Sequence, residues 1–406
     1  MHHLRVAEWS GIGDDTIRSL RANRPAGGWF PALQGLYWCI ASHNIPYTDL
    51  FFSPHLKKIS ISVSWSWSGY RPPRGILPSI ASAISMLPAS ALQILFVDGS
   101  HREMPWAHFK DSFSSVALRC GPSLTEFTSP VSLSGAAINH LIQLPQLRVW
   151  RIEGPPPSYS TSSLTLLFPP LVEFTLGEGA APEWLSLFKR LEDRASSTQG
   201  MTPLFRMKGS LESLTVNNSP GLTIDVSFAS PIQIFRNLVD LNVLVRCHEE
   251  HNEGQCSFKL NDNNVAELAI ALPRLEVLLL GHPCRENTCA TTVACLFLIS
   301  VHCVELRKLE IHFNTADIID DLKDLSEDPR FQELRSLPRC TLTWLNAYQT
   351  PLTLDEPGFE TVANGMVSIF PCLGCCEGVE EIWDEISEKI VEIQVARPFS
   401  VGCWRV

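Results

Sequence analysis

The segment at residues 144–152 reads Leu-Pro-Gln-Leu-Arg-Val-Trp-Arg-Ile, and its pattern decides the fold. A proline or polar pair precedes Leu-x-x-Leu-x-Leu, in which other apolar residues replace some of the leucines. The phrase recurs at ten places, whose first leucines are Leu33, Leu56, Leu92, Leu124, Leu147, Leu171, Leu211, Leu238, Leu275 and Leu306. The mean step is about 30 residues, close to the roughly 20–29 residues of regular repeats built on this phrase. Such recurrence predicts a stacked array whose core extends in one dimension.

Segments with helical apolar spacing separate the copies of the phrase. They lie at residues 14–21, 76–86, 136–144, 182–194, 264–272 and 291–301. A strand followed by a helix, repeated many times, indicates parallel strands joined by right-handed crossovers. The fixed leucines point inward onto the neighbouring copies, and the stack bends because strands are narrower than helices. We therefore predict an α/β, leucine-rich-repeat-like right-handed solenoid (a horseshoe) with parallel strands on its concave face.

A doubly wound α/β fold also alternates strands and helices, and it is the alternative to the solenoid. The same phrase at ten sites favours the solenoid. Residues 4–9 and 342–345 are candidates for an earlier and a later copy. We therefore divide the chain into a degenerate solenoid at residues 1–345 and a C-terminal capping segment at residues 346–406.

The capping segment contains an amphipathic helix predicted at residues 379–393. Its apolar stripe consists of Val379, Ile382, Trp383, Ile386, Ile390 and Ile393, and acidic residues lie off that stripe. The open end of a solenoid exposes its core, so a cap on the last repeat is the favoured interpretation. Docking of a partner on this helix is the alternative.

Composition limits the classes of partner. A chain of 406 residues is longer than a single hydrophobic core supports. With 45% hydrophobic and 18% charged residues, its composition is that of a folded protein. A net charge of −11 argues against nucleic acid as a main partner. No stretch approaches about 18 uninterrupted apolar residues, so we expect no membrane partner. Thirteen cysteines without a visible signal peptide predict reduced thiols and a cytoplasmic or nuclear location.

The repeats resemble those of F-box/leucine-rich-repeat proteins, especially the degenerate fungal ones. The phrases that carry the resemblance are Phe-Pro-Pro-Leu-Val-Glu-Phe at 168–174 and Leu-Pro-Gln-Leu-Arg-Val-Trp at 144–150. The likeness covers about residues 33–345, with further family-like pieces at 359–363 and 369–373. The resemblance implies a substrate receptor of a cullin-RING (SCF-type) ubiquitin ligase. In that family an F-box docks on the ligase adaptor and the repeats hold a protein substrate.

The chain departs from the family at its start, because no Leu-Pro-x-Glu-Ile/Val-Leu helix opens it. Either the F-box is lost or the chain is a truncated gene product. The implied partners are an unknown protein substrate and, if the full-length product has an F-box, the ligase adaptor. A stand-alone scaffold with no ubiquitin role is the alternative.

No motif in the sequence predicts catalysis, so we expect the protein not to be an enzyme and to have no cofactor, and an enzyme of unknown type is the third and least favoured alternative. The loop at residues 11–16 has Thr16 where a dinucleotide-binding loop needs a third glycine. His248 and His251 are three residues apart, whereas the two zinc-binding histidines on a metalloprotease helix are four residues apart. This segment therefore indicates a polar loop. The acidic run at 317–328 lacks the spacing of a calcium loop and indicates a solvated helix face.

The cysteine-rich segment at residues 372–376 is the one candidate for metal binding. Cys372 and Cys375 have zinc-knuckle spacing, but no second pair follows at a matching distance. Cys284 and Cys289, near His282, could supply further ligands in space. Buried thiols are the favoured interpretation, and we predict no metal site.

Strand parity predicts the binding surface, because successive side chains point to opposite faces. The positions between the inward leucines should line the concave face. From these positions we predict a protein-binding site that consists of Tyr37, Ser60, Phe96, Arg151, Glu173, Asn242, Lys308 and His312. By the same parity Trp65 and Trp67 share the inward face, so core packing is favoured over a stacking platform.

Overall fold

A computed structural model describes residues 3–6, 14–25, 29–40, 50–63, 76–98, 106–154, 168–177, 180–197, 206–217, 223–244, 258–280, 290–334, 340–347, 352, 354, 356–378 and 381–396. The chain forms two compact units. Unit 1 consists of residues 1–180 and 201–207, and unit 2 of residues 181–200 and 208–406. The predicted division at residue 345 stays a prediction.

Unit 1 is a series of parallel strands separated by helices. Its strands are β1 (His3–Val6), β2 (Gly35–Ile40), β3 (Lys58–Val63), β4 (Ile94–Val97), β5 (Glu126–Ser129), β6 (Val149–Ile152) and β7 (Glu173–Leu176). Its α-helices are α1 (Asp14–Ala22), α2 (Ile76–Ser85), α3 (Lys110–Arg119) and α4 (Gly135–Ile142). Short 3₁₀ helices at Ala89–Ala91 and Trp106–Phe109 lie in the connections of this unit.

Unit 2 repeats the same plan. Its helix α5 (Ala181–Ser197) comes first, and the short helix α6 (Arg206–Ser210) spans the boundary of the two residue sets. The strands are β8 (Ser213–Asn217), β9 (Asp240–Leu244), β10 (Val277–Leu280), β11 (Lys308–Ile311), β12 (Trp344–Asn346) and β13 (Cys375–Glu377). The helices are α7 (Val226–Ile232), α8 (Asp262–Ala271), α9 (Val293–His302), α10 (Ile318–Glu327), α11 (Pro329–Leu334), α12 (Glu356–Ile369) and α13 (Glu381–Ala396).

The inward side chains of neighbouring strands align in register within each unit. In unit 1 one such rung consists of Leu36, Ile59, Leu95, Phe127, Trp150 and Phe174, all buried. In unit 2 the corresponding rung consists of Leu214, Leu241, Leu278, Leu309, Leu345 and Cys376, also buried. The first leucine of every predicted copy is buried as well. Because each side chain of a rung packs on its neighbours from the adjacent strands, no single repeat needs to bury its apolar face alone.

The predicted fold class, an α/β leucine-rich-repeat-like solenoid, is confirmed. In each unit the strands are parallel and their order in the sheet follows their order in the chain. A doubly wound sheet reverses its strand order at a switch point, and neither unit does so. The candidate copies at both ends form strands, since β1 contains Leu4 and β12 contains Leu345.

Candidate protein-binding surface

Side chains alternate between the core and an open sheet face along the strands. In β4, β6, β7 and β10 the burial pattern is half-buried, buried, half-buried, buried. We call the surface formed by the half-buried positions the open sheet face of each unit. It corresponds to the face that we expected to be concave, and the strand register decides which of its side chains are neighbours.

Unit 1 carries five of the predicted binding residues on its open sheet face. Tyr37, Ser60 and Phe96 are consecutive partners in the register of β2, β3 and β4. The hydroxyl groups of Tyr37 and Ser62 share a hydrogen bond of 2.9 Å. Phe96 is half-buried, so part of its ring is available for contact.

Arg151, on β6, joins the strands on either side of it. Its Nε donates to Glu173 Oε1 on β7 at 2.9 Å, and its Nη1 donates to Glu126 Oε1 on β5 at 3.1 Å. The guanidinium carbon lies 5.7 Å from the centroid of the Phe96 ring. The Arg151, Glu126 and Glu173 side chains are 31%, 23% and 31% exposed, so water still reaches the group. The network holds Arg151 in one orientation across three strands.

The open sheet face of unit 2 has a second cation–aromatic pair. The Nζ of Lys308, on β11, lies 4.2 Å from the centroid of the Trp344 ring on β12, and the two residues are partners in the strand register. Trp344 is not one of the residues predicted from the sequence to bind a partner. It occupies an outward position in the repeat copy at residues 342–345, so strand parity could have identified it. Val277 and Leu279 of β10 lie half-buried on the same face.

Polar groups on this face are more deeply buried near β11. Glu310 accepts a hydrogen bond of 3.3 Å from Asn346 Nδ2. Burial raises the pKa of the Glu310 carboxyl above its usual range. The hydrogen bond from Asn346 and the charge of Lys308 lower the pKa, but their effect is smaller than that of burial. Asn242 is half-buried, and its Oδ1 has no hydrogen-bond partner among the described residues.

His312 lies in a different environment from the other predicted residues. It is only 2% exposed, and its backbone carbonyl accepts a hydrogen bond of 2.8 Å from Thr291 Oγ1. The predicted site is therefore divided in the structure, with five residues on unit 1, Asn242 and Lys308 on the open sheet face of unit 2, and His312 in the interior. The role of each in binding stays a prediction.

Helix α13 packs on the last strand of unit 2. Trp383, Ile386 and Ile390 are buried, and the Trp383 ring meets Phe313 edge-on at 6.4 Å. Ser387 Oγ accepts a hydrogen bond from the Cys376 backbone N–H, at 3.2 Å. The predicted helix at 379–393 is observed at Glu381–Ala396.

The cysteines do not form a metal centre in the described part of the chain, where no group of three or more His, Cys, Asp or Glu side chains lies together. Cys284, Cys289, His248 and His251 lie outside the described residues, as do Trp65, Trp67 and most of the loop at 11–16. Burial raises the pKa of Cys120 and of Cys303 to about 12, so both stay protonated thiols. Cys372 is disulfide-bonded, so the expectation that every cysteine is reduced is wrong at this position.

Among the helices that the structure describes, none combines the length and the apolar character that a membrane-spanning segment requires.

Comparison with known proteins gives matches only among solved structures. No family model and no curated protein sequence matches the chain. One matching structure is TLR13 in complex with ssRNA13, with 14% identity and a TM-score of 0.35, covering 86% of this chain but only 46% of the TLR13 chain. Another is an internalin (inlF) of Listeria monocytogenes, with 12% identity and a TM-score of 0.34, covering 82% of this chain and 79% of the internalin. A protein of Bacteroides fragilis matches at 12% identity and a TM-score of 0.28, covering 92% of this chain and 75% of that one.

Proposed function

We propose that the open sheet face binds another protein and that the chain acts by recognition, without a catalytic step. The observation that carries this proposal is the strand register of unit 1. It places Tyr37, Phe96 and Arg151 on one face, each half-buried. Aromatic and arginine side chains of this kind dominate the energetics of protein interfaces.

The rigidity of these side chains supports the proposal. Arg151 is held by two carboxylates and a ring, and Tyr37 by the Ser62 hydroxyl. A side chain that is already ordered loses little conformational entropy when a partner binds, and this loss otherwise opposes association by about 0.5–1.5 kcal/mol per side chain. The face is thus arranged before binding.

Affinity capture with mass spectrometry tests the proposal. Wild type is compared with the triple variant Tyr37→Ala/Phe96→Ala/Arg151→Ala, and far-ultraviolet circular dichroism confirms that both are folded. The matched control is Met86→Ala/Lys110→Ala/Leu118→Ala, which changes three exposed residues of unit 1 outside its strands. We expect proteins captured by wild type and by the control to be lost from the triple variant. Equal capture by all three chains contradicts the proposal.

The narrower role is that of a substrate receptor for a cullin-RING ubiquitin ligase. Its support is the resemblance of the repeat phrases at residues 144–150 and 168–174 to those of F-box/leucine-rich-repeat proteins. The rival role is a stand-alone scaffold. Co-purification of the ligase adaptor with the full-length gene product separates them, because only a receptor retains the adaptor.

A further inference from the structure

The residues that lead into the strands of unit 1 carry charge of one sign. Because these strands are parallel and in register, the residues just before β2 to β7 lie along one edge of the sheet. We call these residues, with the helix ends that adjoin them, the leading edge. Its described ranges are 20–25, 29–34, 50–57, 86–93, 119–125, 142–148 and 168–172.

The described ranges of the leading edge contain no aspartate or glutamate, although the whole chain has 43 acidic and 32 basic residues. Composition therefore does not explain the charge of this edge. Its lysine and arginine residues are Arg21, Arg24, Lys57, Arg119 and Arg148.

Three of the arginines donate hydrogen bonds to backbone carbonyl groups of a neighbouring repeat. Arg24 Nη2 donates to the Phe52 oxygen at 3.0 Å, and Arg119 Nη1 donates to the Leu87 oxygen at 3.0 Å. Arg148 forms a bond of the same kind at 3.2 Å. A carbonyl group has no net charge, so these bonds orient the guanidinium groups without cancelling their charge. The leading edge thus stays positive within an acidic chain.

A groove of about 560 Å³ opens at the leading edge, between the turns that precede β2, β3 and β4. This volume lies within the range of roughly 300–1,000 Å³ that is typical of ligand pockets. Pro31 and Pro54 give the groove apolar walls, and His55 and Lys57 give it polar groups. No acidic side chain belongs to its described lining.

The register of the strands explains why the groove opens at this place. Ala32, His55 and Ala91 each stand three residues before their strand, so they are neighbours along the leading edge. The methyl groups on both sides of His55 are short and leave space next to the imidazole. Lys57 stands one residue before β3 and borders the same space.

Hydrogen bonds hold the backbone of the groove in place. The Ser53 hydroxyl donates to the Pro31 oxygen and accepts from the His55 N–H, both at 3.2 Å. The Lys57 N–H donates to the Gln34 oxygen at 2.8 Å. In contrast, the side chains of His55 and Lys57 are exposed and make no ion pair among the described residues. The positive charge of Lys57 is therefore available to a ligand.

We propose that this groove binds an acidic segment of a partner protein, with a glutamate or aspartate of that segment paired with Lys57. The imidazole of His55 has an N–H in either tautomer and donates it to the same carboxylate. Pro31 and Pro54 pack against apolar groups of the segment. The groove is separate from the open sheet face, so the proposal goes beyond the protein-binding role argued above.

The overall charge of the chain favours a short acidic segment over nucleic acid. The net charge of −11 repels a long polyanion along most of its length. Charges interact over a Debye length of about 8 Å at physiological ionic strength. A short segment within the groove therefore responds chiefly to the positive leading edge.

Fluorescence anisotropy on the full chain tests the proposal. The probe is a fluorescein-labelled peptide of alternating glutamate and glycine. A peptide with glutamine in place of glutamate and a labelled single-stranded oligothymidylate serve as comparisons. The site variant is His55→Gln/Lys57→Gln. The control, His108→Gln/Lys110→Gln, changes the same two residue types at the same spacing, and both of its residues are exposed at the start of α3.

We expect the site variant to bind the glutamate peptide about fivefold more weakly than wild type. The control should bind within about twofold of wild type, and so should Lys57→Arg, which keeps the positive charge. The glutamine peptide should not bind. A thermal unfolding curve accompanies each variant. If the site variant does not fold, Lys57→Gln alone replaces it, with an expected weakening of about threefold.

Several results would overturn the proposal. Equal weakening by the control at residues 108 and 110 means that the peptide senses only the overall charge. Absence of binding to wild type, or equal binding of the glutamine peptide, shows that the groove does not recognise carboxylates. Tighter binding of the oligothymidylate than of the glutamate peptide identifies a nucleic-acid site instead. None of these results concerns the open sheet face, which the capture experiment with Tyr37, Phe96 and Arg151 tests separately.

Discussion

Asp262 accepts two hydrogen bonds from Thr292, one from the backbone N–H at 2.8 Å and one from Oγ1 at 2.9 Å. Asp262 is the first residue of α8, and Thr292 is the N-cap of α9, so the pair joins the starts of two successive helices. Thr292 Oγ1 also accepts from the Ala294 N–H at 3.1 Å. Hydrogen bonds between repeats supplement the apolar rungs and fix the spacing of neighbouring helices.

The substitution Asp262→Ala should therefore destabilise the protein. It leaves the Thr292 N–H without its carboxylate acceptor, and we expect the free energy of unfolding to fall by about 1–3 kcal/mol. Urea titration followed by circular dichroism measures this change. Asn263→Ala is the matched control, since Asn263 is the exposed neighbour in the same helix. A loss equal to that of the control would show that the link between helices contributes nothing.

The buried rungs give a second prediction. Leu95 is fully buried in β4, whereas Leu118 in α3 is 45% exposed, and both lie in unit 1. We expect Leu95→Ala to lower the free energy of unfolding by about 2–5 kcal/mol, because it leaves a cavity within the rung, between Ile59 and Phe127. Leu118→Ala should change it by less than about 0.5 kcal/mol. Both values come from the same urea titration, and similar losses for the two variants would contradict the inward assignment of the rung.

The fold could be predicted because the same inward spacing recurs in each copy. Each Leu-x-x-Leu-x-Leu fixes which side chains are buried, and Leu147 and Trp150 occupy their expected inward positions. Strand β13 was missed because its inward residue is Cys376, not a leucine. Helix α3 was missed because serines at 112, 114 and 115 interrupt the apolar residues that pack inward.

The candidate site could be predicted only in part. Parity placed Tyr37, Phe96 and Arg151 on the open sheet face, since it depends on position within one strand. It could not show that Arg151 pairs with Glu126 and Glu173, which are 25 and 22 residues away, because that pairing depends on the register between strands. It also could not show that His312 is buried, because burial of an outward position depends on what covers it.

Glycine positions give a third prediction, on close packing between repeats. A β-carbon on Gly121 would collide with the backbone oxygen of Ser90. A backbone atom cannot move aside as a flexible side chain can, so Gly121→Ala should lower the free energy of unfolding by about 1–3 kcal/mol. Gly209→Ala is the control, because no atom lies within 4 Å of its β-carbon position in α6. We expect that variant to be neutral or more stable by up to about 1 kcal/mol. Differential scanning calorimetry should rank Gly121→Ala below wild type, and the reverse order would contradict the close contact.

The pH dependence of stability follows from the buried carboxyl of Glu310. Its pKa is raised from an ordinary value of 4.5, chiefly by burial. Below that ordinary pKa the carboxyl is protonated in both the folded and the unfolded chain. As the pH rises, the unfolded chain loses the proton first, so the folded state loses stability until the pH has passed the folded pKa.

Substitution of Glu310 by glutamine should remove this loss of stability. The amide keeps the shape of the side chain and an oxygen that can accept from Asn346, but it has no charge to bury. We expect Glu310→Gln to be close to wild type in stability below the ordinary glutamate pKa and more stable than wild type at pH 7, with the difference growing as the pH rises through the raised folded pKa. Urea titrations at several pH values measure the difference. The control is Glu377→Gln, an exposed position in the same register row of the sheet. A difference between Glu310→Gln and wild type that stays constant with pH would mean that the Glu310 pKa is the same in the folded and unfolded chain, and one that shrinks as pH rises would mean that folding stabilises the carboxylate. Either result contradicts the raised pKa.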